Sequence, residues 1–438
     1  MHSTIRISSF IYFLLIIIIT ACSAQSNEQA KHEEPKETFY HNHLISVGAE
    51  QLDDYLPLLS GKAVGLVVNQ TSMVNDKHLV DVLLKENINV KNIFVPEHGF
   101  RGTADAGQQI KNGVDEITGL PIISLYGDNK KPKLEQIEET EKYKEDIEGG
   151  VSRIDIMVFD LQDVGARFYT YISTMHYVME ACAEAKIPLI ILDRPNPNGF
   201  YVDGPVMEDE FKSFVGLHNV PIVHGMTVGE YALMINGEAW LKNGVECDLT
   251  VIPCKGYDHT RFYKLPVKPS PNLPNMRAIY LYPTLCLFEG TDISVGRGTD
   301  KQFQVIGSPQ LSDKRLDMDY NGLQANYKFT PQSMSGATKP KHEGVECIGI
   351  DLSEKDVELI RDIKKVDIQY IKGIYKLHQQ KEKFFNPFFT KLAGNSSLSA
   401  LISDDLSVNP DTILSKYNND LQKFKEIRKK YLLYKDFE

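Results

Sequence analysis

Glu97, His98 and Arg101 stand in one short loop, Val-Pro-Glu-His-Gly-Phe-Arg-Gly, at the end of a stretch running from Val90 to Gly102. An acid, an imidazole and a guanidinium held among Pro96 and two glycines can do proton-transfer chemistry on an anionic ligand. The same logic recurs further on. Asp160-Leu-Gln-Asp-Val-Gly-Ala-Arg-Phe-Tyr-Thr-Tyr presents Asp163, Arg167, Tyr169 and Tyr171, and Leu-Asp-Arg-Pro-Asn-Pro-Asn-Gly presents Asp193, Arg194 and Asn196. A third loop, Phe-Glu-Gly-Thr-Asp followed by Arg297, brings Glu289. Each loop alone reads equally well as helix capping or loop bracing; their recurrence reads as a site.

Arginine usage supports the anion. Only 11 of the 48 basic residues are Arg, yet Arg101, Arg167, Arg194 and Arg297 all fall in these loops, while Lys is expected to cover the surface. A planar guanidinium binds a carboxylate bidentately, which suits a small anionic ligand in a chain of net charge -11. That balance argues against binding through nucleic-acid phosphates, which needs a basic face. Tyr126, Tyr169, Tyr171 and Tyr282 would suit the faces of a sugar.

The elements that must deliver these loops read as α/β. Apolar runs Ala63–Val68, Ile93–Val95, Ile122–Tyr126, Ile154–Asp160, Pro188–Leu192 and Leu249–Ile252 are expected strands. They alternate with expected helices at His78–Glu86, Thr170–Lys186 and Val228–Leu241, and Leu134–Ile147 reads as a charged helix or loop. Buried strands alternating with helices imply a Rossmann-like, doubly wound parallel sheet whose ligands bind outside the carboxyl ends of the strands. No G-x-G-x-x-G follows the first strand, where Asn69-Gln70-Thr71 stands instead, so no nucleotide is implied. The expected order is a Rossmann-like catalytic domain over 46–285, then a smaller α+β domain over 286–438 that completes the cleft, with a seam near Leu281–Asp300.

Ahead of the first domain, an apolar run from Phe10 to Ile19 is too short to span a bilayer comfortably and reads as an export signal over 1–21. Ile19-Thr-Ala-Cys22 resembles the lipobox of bacterial lipoproteins, so Cys22 is the expected lipidation site, followed by a polar tether over 22–45. The chain is thus expected to be an exported bacterial lipoprotein, periplasm-facing or on the surface, anchored through Cys22 to the outer membrane. Five cysteines remain, without a C-x-x-C pair, so structural zinc is not expected; free thiols are the default, with a Cys247 to Cys254 bridge as the alternative.

Taken together, the Val-Pro-Glu-His-Gly-Phe-Arg-Gly, Asp-Leu-Gln-Asp-Val-Gly-Ala-Arg-Phe-Tyr-Thr-Tyr, Leu-Asp-Arg-Pro-Asn-Pro and Leu-Phe-Glu-Gly-Thr-Asp-Ile-Ser-Val-Gly-Arg-Gly-Thr motifs resemble the exo-β-N-acetylmuramidases of the NamZ type. The resemblance covers nearly all of the chain from about Val47. It implies release of N-acetylmuramic acid (MurNAc) from the non-reducing end of β-1,4-linked MurNAc-GlcNAc fragments of peptidoglycan, and makes Glu97 the catalytic Glu; glycoside chemistry makes it the candidate acid. The second catalytic group is open: Asp163 first, Glu289 next, the substrate's 2-acetamido group third. His98 orients Glu97, carries a proton, or is structural. Arg101, Arg167 and Arg194 are the expected partners of the lactyl carboxylate, with Tyr169, Tyr171, Asn196, Glu289 and Arg297 also at the substrate. Peptidoglycan fragments are the expected partner; no metal, cofactor or protein partner is needed. Two other readings stand beside this one: a non-catalytic lipoprotein that binds muropeptides, and a metal-dependent hydrolase using His98, Asp163 and His224.

Overall fold

A computed structural model describes residues 40–101, 111–127, 130–138, 153–311 and 326–438. Cys22, the export signal and most of the tether lie outside the described residues, as does the second half of the segment expected at Leu134–Ile147, whose first part is a helix over Leu134–Glu138. Residues 40–45, expected to belong to the tether, are bound into the fold: the His41 N–H donates to the Phe262 carbonyl and Ser46 bridges Lys255.

Strand β1 (Ala63–Val68) leads to a small hairpin of β2 (Met73–Val74) and β3 (Lys77–His78). Then come β4 (Asn89–Val95), β5 (Gly113–Val114), β6 (Pro121–Ser124), β7 (Ile156–Asp160), β8 (Leu189–Leu192) and β9 (Leu249–Ile252). Seven of these form one sheet in the order β5-β6-β4-β1-β7-β8-β9, parallel except for the short edge strand β5. Strands β1, β7 and β8 are almost entirely apolar and buried because helices cover both faces, and such a sheet has no solvent side to alternate with. Without the edge strand the order is that of a Rossmann fold, with the chain reversing direction across the sheet between β1 and β7. The carboxyl ends of β1, β4 and β7 therefore meet at one place.

A helix over Met276–Leu285 carries the chain into the second region, its first turn capped by Asn275, whose side-chain oxygen accepts from the Ala278 N–H. That region holds a three-stranded antiparallel sheet of β10 (Val305–Ser308), β11 (Tyr327–Phe329) and β12 (Cys347–Asp351), with β12 central, followed by short helices up to Arg428. Cys182, Cys247, Cys254, Cys286 and Cys347 are all buried free thiols, so the Cys247 to Cys254 bridge does not form. The Cys254 thiol instead donates to the Asp193 carbonyl at 3.2 Å. Among the described residues no helix is long and apolar enough to cross a membrane.

Candidate active site

β4 ends where Pro96 removes the next backbone donor, and the chain turns at once, the Gly99 N–H donating to the Pro96 carbonyl at 3.1 Å. His98 takes a left-handed backbone (φ 73°), as does Gly99 (φ 72°). Glycine adopts that region freely, whereas a histidine there is held by its surroundings. The turn fixes Glu97, half-buried, against the start of the Tyr171–Ala185 helix, where the Thr170 hydroxyl donates to Glu97 Oε2 at 2.8 Å. Thr170 occupies the cap position of that helix without capping it, so its hydroxyl serves the carboxylate. Burial pushes the Tyr126 phenol above its ordinary range, and the charge and hydrogen bond of the Glu97 carboxylate beside it push it further.

Glu97 and His98 open onto a cavity of about 810 Å³, a size typical of small-ligand sites. The sheet region lines it with Tyr126, Phe168, Tyr169 and Thr170, and the second region with Glu289, Arg297, Phe303 and the segment Gly336–Lys341. Phe168, Tyr169, Phe303 and Tyr282 pack edge to face around Tyr282, with ring centroids 5.0 to 5.9 Å apart. This gives the cavity an aromatic surface.

Glu289 and Arg297 form a two-pronged pair, Nε to Oε1 at 2.6 Å and Nη2 to Oε2 at 3.2 Å, with the guanidinium over the Phe303 ring. Burial alone would push the Glu289 carboxyl up, but the Arg297 charge and hydrogen bonds outweigh it and hold Glu289 below the usual carboxylate range. The Lys341 ammonium donates to the carbonyls of Phe288, Thr291 and Ile293, which ties the Gly336–Lys341 segment to the loop carrying Glu289.

Of the residues expected at the site, Glu97, His98, Tyr169, Glu289 and Arg297 line this cavity, whereas Arg101, Asp163, Arg167, Tyr171, Arg194 and Asn196 do not. Arg101 faces a separate hollow and pairs with Asp115 at 2.7 Å. Arg167 is fully buried and donates to the carbonyls of Pro205, Val220 and Leu392, so its charge is spent on backbone carbonyls. Arg194 grips Asp160 with Nε at 2.6 Å and Nη2 at 2.9 Å, both side chains buried, and so plugs the switch point of the sheet. Asn196 braces its own loop, accepting from Asn198 N–H and donating to the Met226 carbonyl. Tyr171 lies behind Tyr169, its hydroxyl accepting from Asn69 at 2.8 Å.

Asp163 is a buried turn residue whose Oδ1 accepts from the Gly165 N–H at 2.7 Å. Burial raises its carboxyl to about 7, against the pull of the Gly165 and Val164 N–H groups. Its Oδ2 has no partner among the described residues. His224 is buried too, and burial, with Arg428 and Arg167 nearby, lowers its imidazole to about 3. Among the described residues no three His, Cys, Asp or Glu side chains are placed to hold a metal ion, so His98, Asp163 and His224 do not form a metal centre.

Sequence reasoning missed Thr170 as a partner of Glu97 and missed Lys339 and Lys341 entirely. The signal for Thr170 was its position directly before a helix; Lys339 and Lys341 sit in a loop-rich stretch that offered none.

The chain matches the family description "Exo-beta-N-acetylmuramidase NamZ, N-terminal" over residues 64–277 and "Exo-beta-N-acetylmuramidase NamZ, C-terminal" over residues 280–434. It is 39% identical over 432 residues to the peptidoglycan beta-N-acetylmuramidase NamZ of Bacillus subtilis (strain 168), covering 95% of this chain and 96% of that one. Two crystal structures of DUF1343 family proteins from Bacteroides fragilis share the fold. One has a TM-score of 0.76 at 44% identity, over 90% of this chain and 99% of the other. The second has a TM-score of 0.72 at 27% identity, over 89% of this chain and 99% of the other.

Proposed function

The chain belongs to the exo-beta-N-acetylmuramidase NamZ family, and on that premise we propose that it is an exo-acting glycosidase. It releases MurNAc from the non-reducing end of β-1,4-linked MurNAc-GlcNAc fragments of peptidoglycan, in cell-wall turnover or recycling. The observation that carries this reading is Glu97, a carboxyl at a strand end, gripped by Thr170 and opening into a cavity with an aromatic surface. Glycoside cleavage needs an acid so held beside the leaving oxygen.

In the first step protonated Glu97 gives its proton to the glycosidic oxygen as the bond to the anomeric carbon breaks, and GlcNAc leaves. On the other face something must meet the positive charge. Asp163 does not line the cavity, and both oxygens of Glu289 are engaged by Arg297. The arrangement favours the substrate's own 2-acetamido oxygen, which bonds to the anomeric carbon to form a cyclic oxazolinium. Glu97, now a carboxylate, takes a proton from the water that opens this ring, which restores the acid and releases MurNAc. The β configuration would be retained.

The lipobox at Cys22 supports export and lipid anchoring, with an outer-membrane location the favoured one; this part of the proposal rests on sequence motif alone. Incubating the purified full chain with a MurNAc-GlcNAc disaccharide should yield free MurNAc. Saturable binding without product would instead identify a muropeptide-binding lipoprotein.

A further inference from the structure

We propose that Lys339 is the group that recognises the lactyl carboxylate of MurNAc and so sets the enzyme's preference for MurNAc over GlcNAc. The proposal rests on the glycosidase reading and names the chemistry of one wall of its site.

MurNAc differs from GlcNAc only by the lactyl ether on O3, which ends in a carboxylate. An enzyme that distinguishes the two sugars needs a cation with donors to spare inside the cavity. The four loop arginines do not supply it. Arg101 faces elsewhere, Arg167 and Arg194 are buried among protein acceptors, and Arg297 is committed to Glu289 through both of its contacting nitrogens. The Nη1 of Arg297 is buried, without a partner among the described residues.

Two lysines remain among the residues that line the cavity. Lys341 spends its ammonium on three carbonyls. Lys339 lines the same cavity, is exposed, and among the described residues has no carboxylate or carbonyl partner. Its anchorage is nonetheless firm. Pro340 follows it, Lys341 is tied down beyond that, and the Ala337 N–H donates to the Met334 carbonyl at 2.9 Å on the other side. The second region's lining carries three cations, Arg297, Lys339 and Lys341, against one carboxylate, Glu289. An incoming anion therefore meets a net positive surface in an otherwise acidic protein. Glu97 and Lys339 come from the two regions of the chain and line one cavity, so acid and cation can act on a single bound sugar.

The test compares three chromogenic β-glycosides that share one leaving group: MurNAc, its lactyl methyl ester, and GlcNAc. Wild-type full chain should prefer free MurNAc over the methyl ester. In Lys339→Met the ratio of kcat/KM for MurNAc to that for the methyl ester should fall about tenfold or more, the size expected for a lost charge-assisted hydrogen bond. Lys339→Arg should restore most of the ratio. A merely structural role would lower all three substrates together and leave the ratio intact, which would overturn the proposal, as would an unchanged ratio in an active variant. If wild type hydrolyses none of the three, the glycosidase reading itself fails, and this assignment fails with it.

Discussion

Glu97 and Thr170 are 73 residues apart in the chain, yet a 2.8 Å hydrogen bond joins them, and in the proposed mechanism it holds the acid. Replacing Glu97 by Gln keeps size and a hydrogen-bond acceptor for Thr170 but removes the transferable proton. Hydrolysis of a chromogenic MurNAc glycoside should fall by about 10²–10⁴-fold with the melting temperature unchanged, and wild-type turnover in that variant would exclude Glu97 as the acid. Thr170→Val should lower kcat by roughly tenfold, since it loses one hydrogen bond to a charged group while the acid itself remains. Asp163 gives the opposite pattern. Its carboxyl is raised by burial from 3.8 to about 7, so the folded state holds that proton more tightly than the unfolded chain does. The resulting stabilisation is fully present below about pH 4 and is lost as pH rises through 7. Asp163→Asn should therefore gain melting temperature relative to wild type as pH increases from 5 to 8, while keeping activity within about tenfold, as a residue outside the cavity would. A constant gap across that range would mean that Asp163 does not titrate there.

At the scale of elements, the strands were legible because each central one is a short, largely apolar run. Ala63–Val68 and Leu249–Ile252 form with the bounds expected from sequence. The helix over Met276–Leu285 was not legible, because Pro283 interrupts its pattern; the Ile279 carbonyl that Pro283 cannot serve accepts from the Asn198 side-chain amide at 3.2 Å instead. The site was half legible for a related reason. Sequence shows which residues a strand-end loop contains but not which way each side chain turns. Arg167 and Arg297 look alike in their loops, yet one is consumed by carbonyls of the fold and the other lines the cavity. The loop glycines show how tightly such turns are made. Gly165 sits at φ 77°, and a Cβ there would lie 2.1 Å from the Asn196 side-chain oxygen. Gly165→Ala should thus destabilise the protein by more than about 1 kcal/mol, from backbone strain and overpacking together. A thermal melt indistinguishable from wild type would show that the Asn196 loop can give way.

For the whole molecule, the cavity exists only while the two regions stay docked, since Glu97 comes from one and Glu289, Arg297 and Lys339 from the other. The chain secures this by returning its C-terminus to the first domain. The Tyr434 hydroxyl donates to Asp193 Oδ2 at 2.6 Å and accepts from the Cys254 N–H at 2.8 Å. Asp436 receives two hydrogen bonds from Arg428, at 2.7 and 2.8 Å, and that guanidinium is fully buried against the Gly225 carbonyl. Deleting residues 434–438 would leave Asp193 without its phenol and Arg428 without its carboxylate, each inside the protein. Breaking one buried pair costs about 3–5 kcal/mol, so the truncated chain should melt several degrees lower. None of the deleted residues lines the cavity. Below its own melting transition the truncated enzyme should therefore keep the wild-type KM for a MurNAc glycoside and lose activity only in step with unfolding. A raised KM in the fully folded variant would mean instead that the tail shapes the cavity directly.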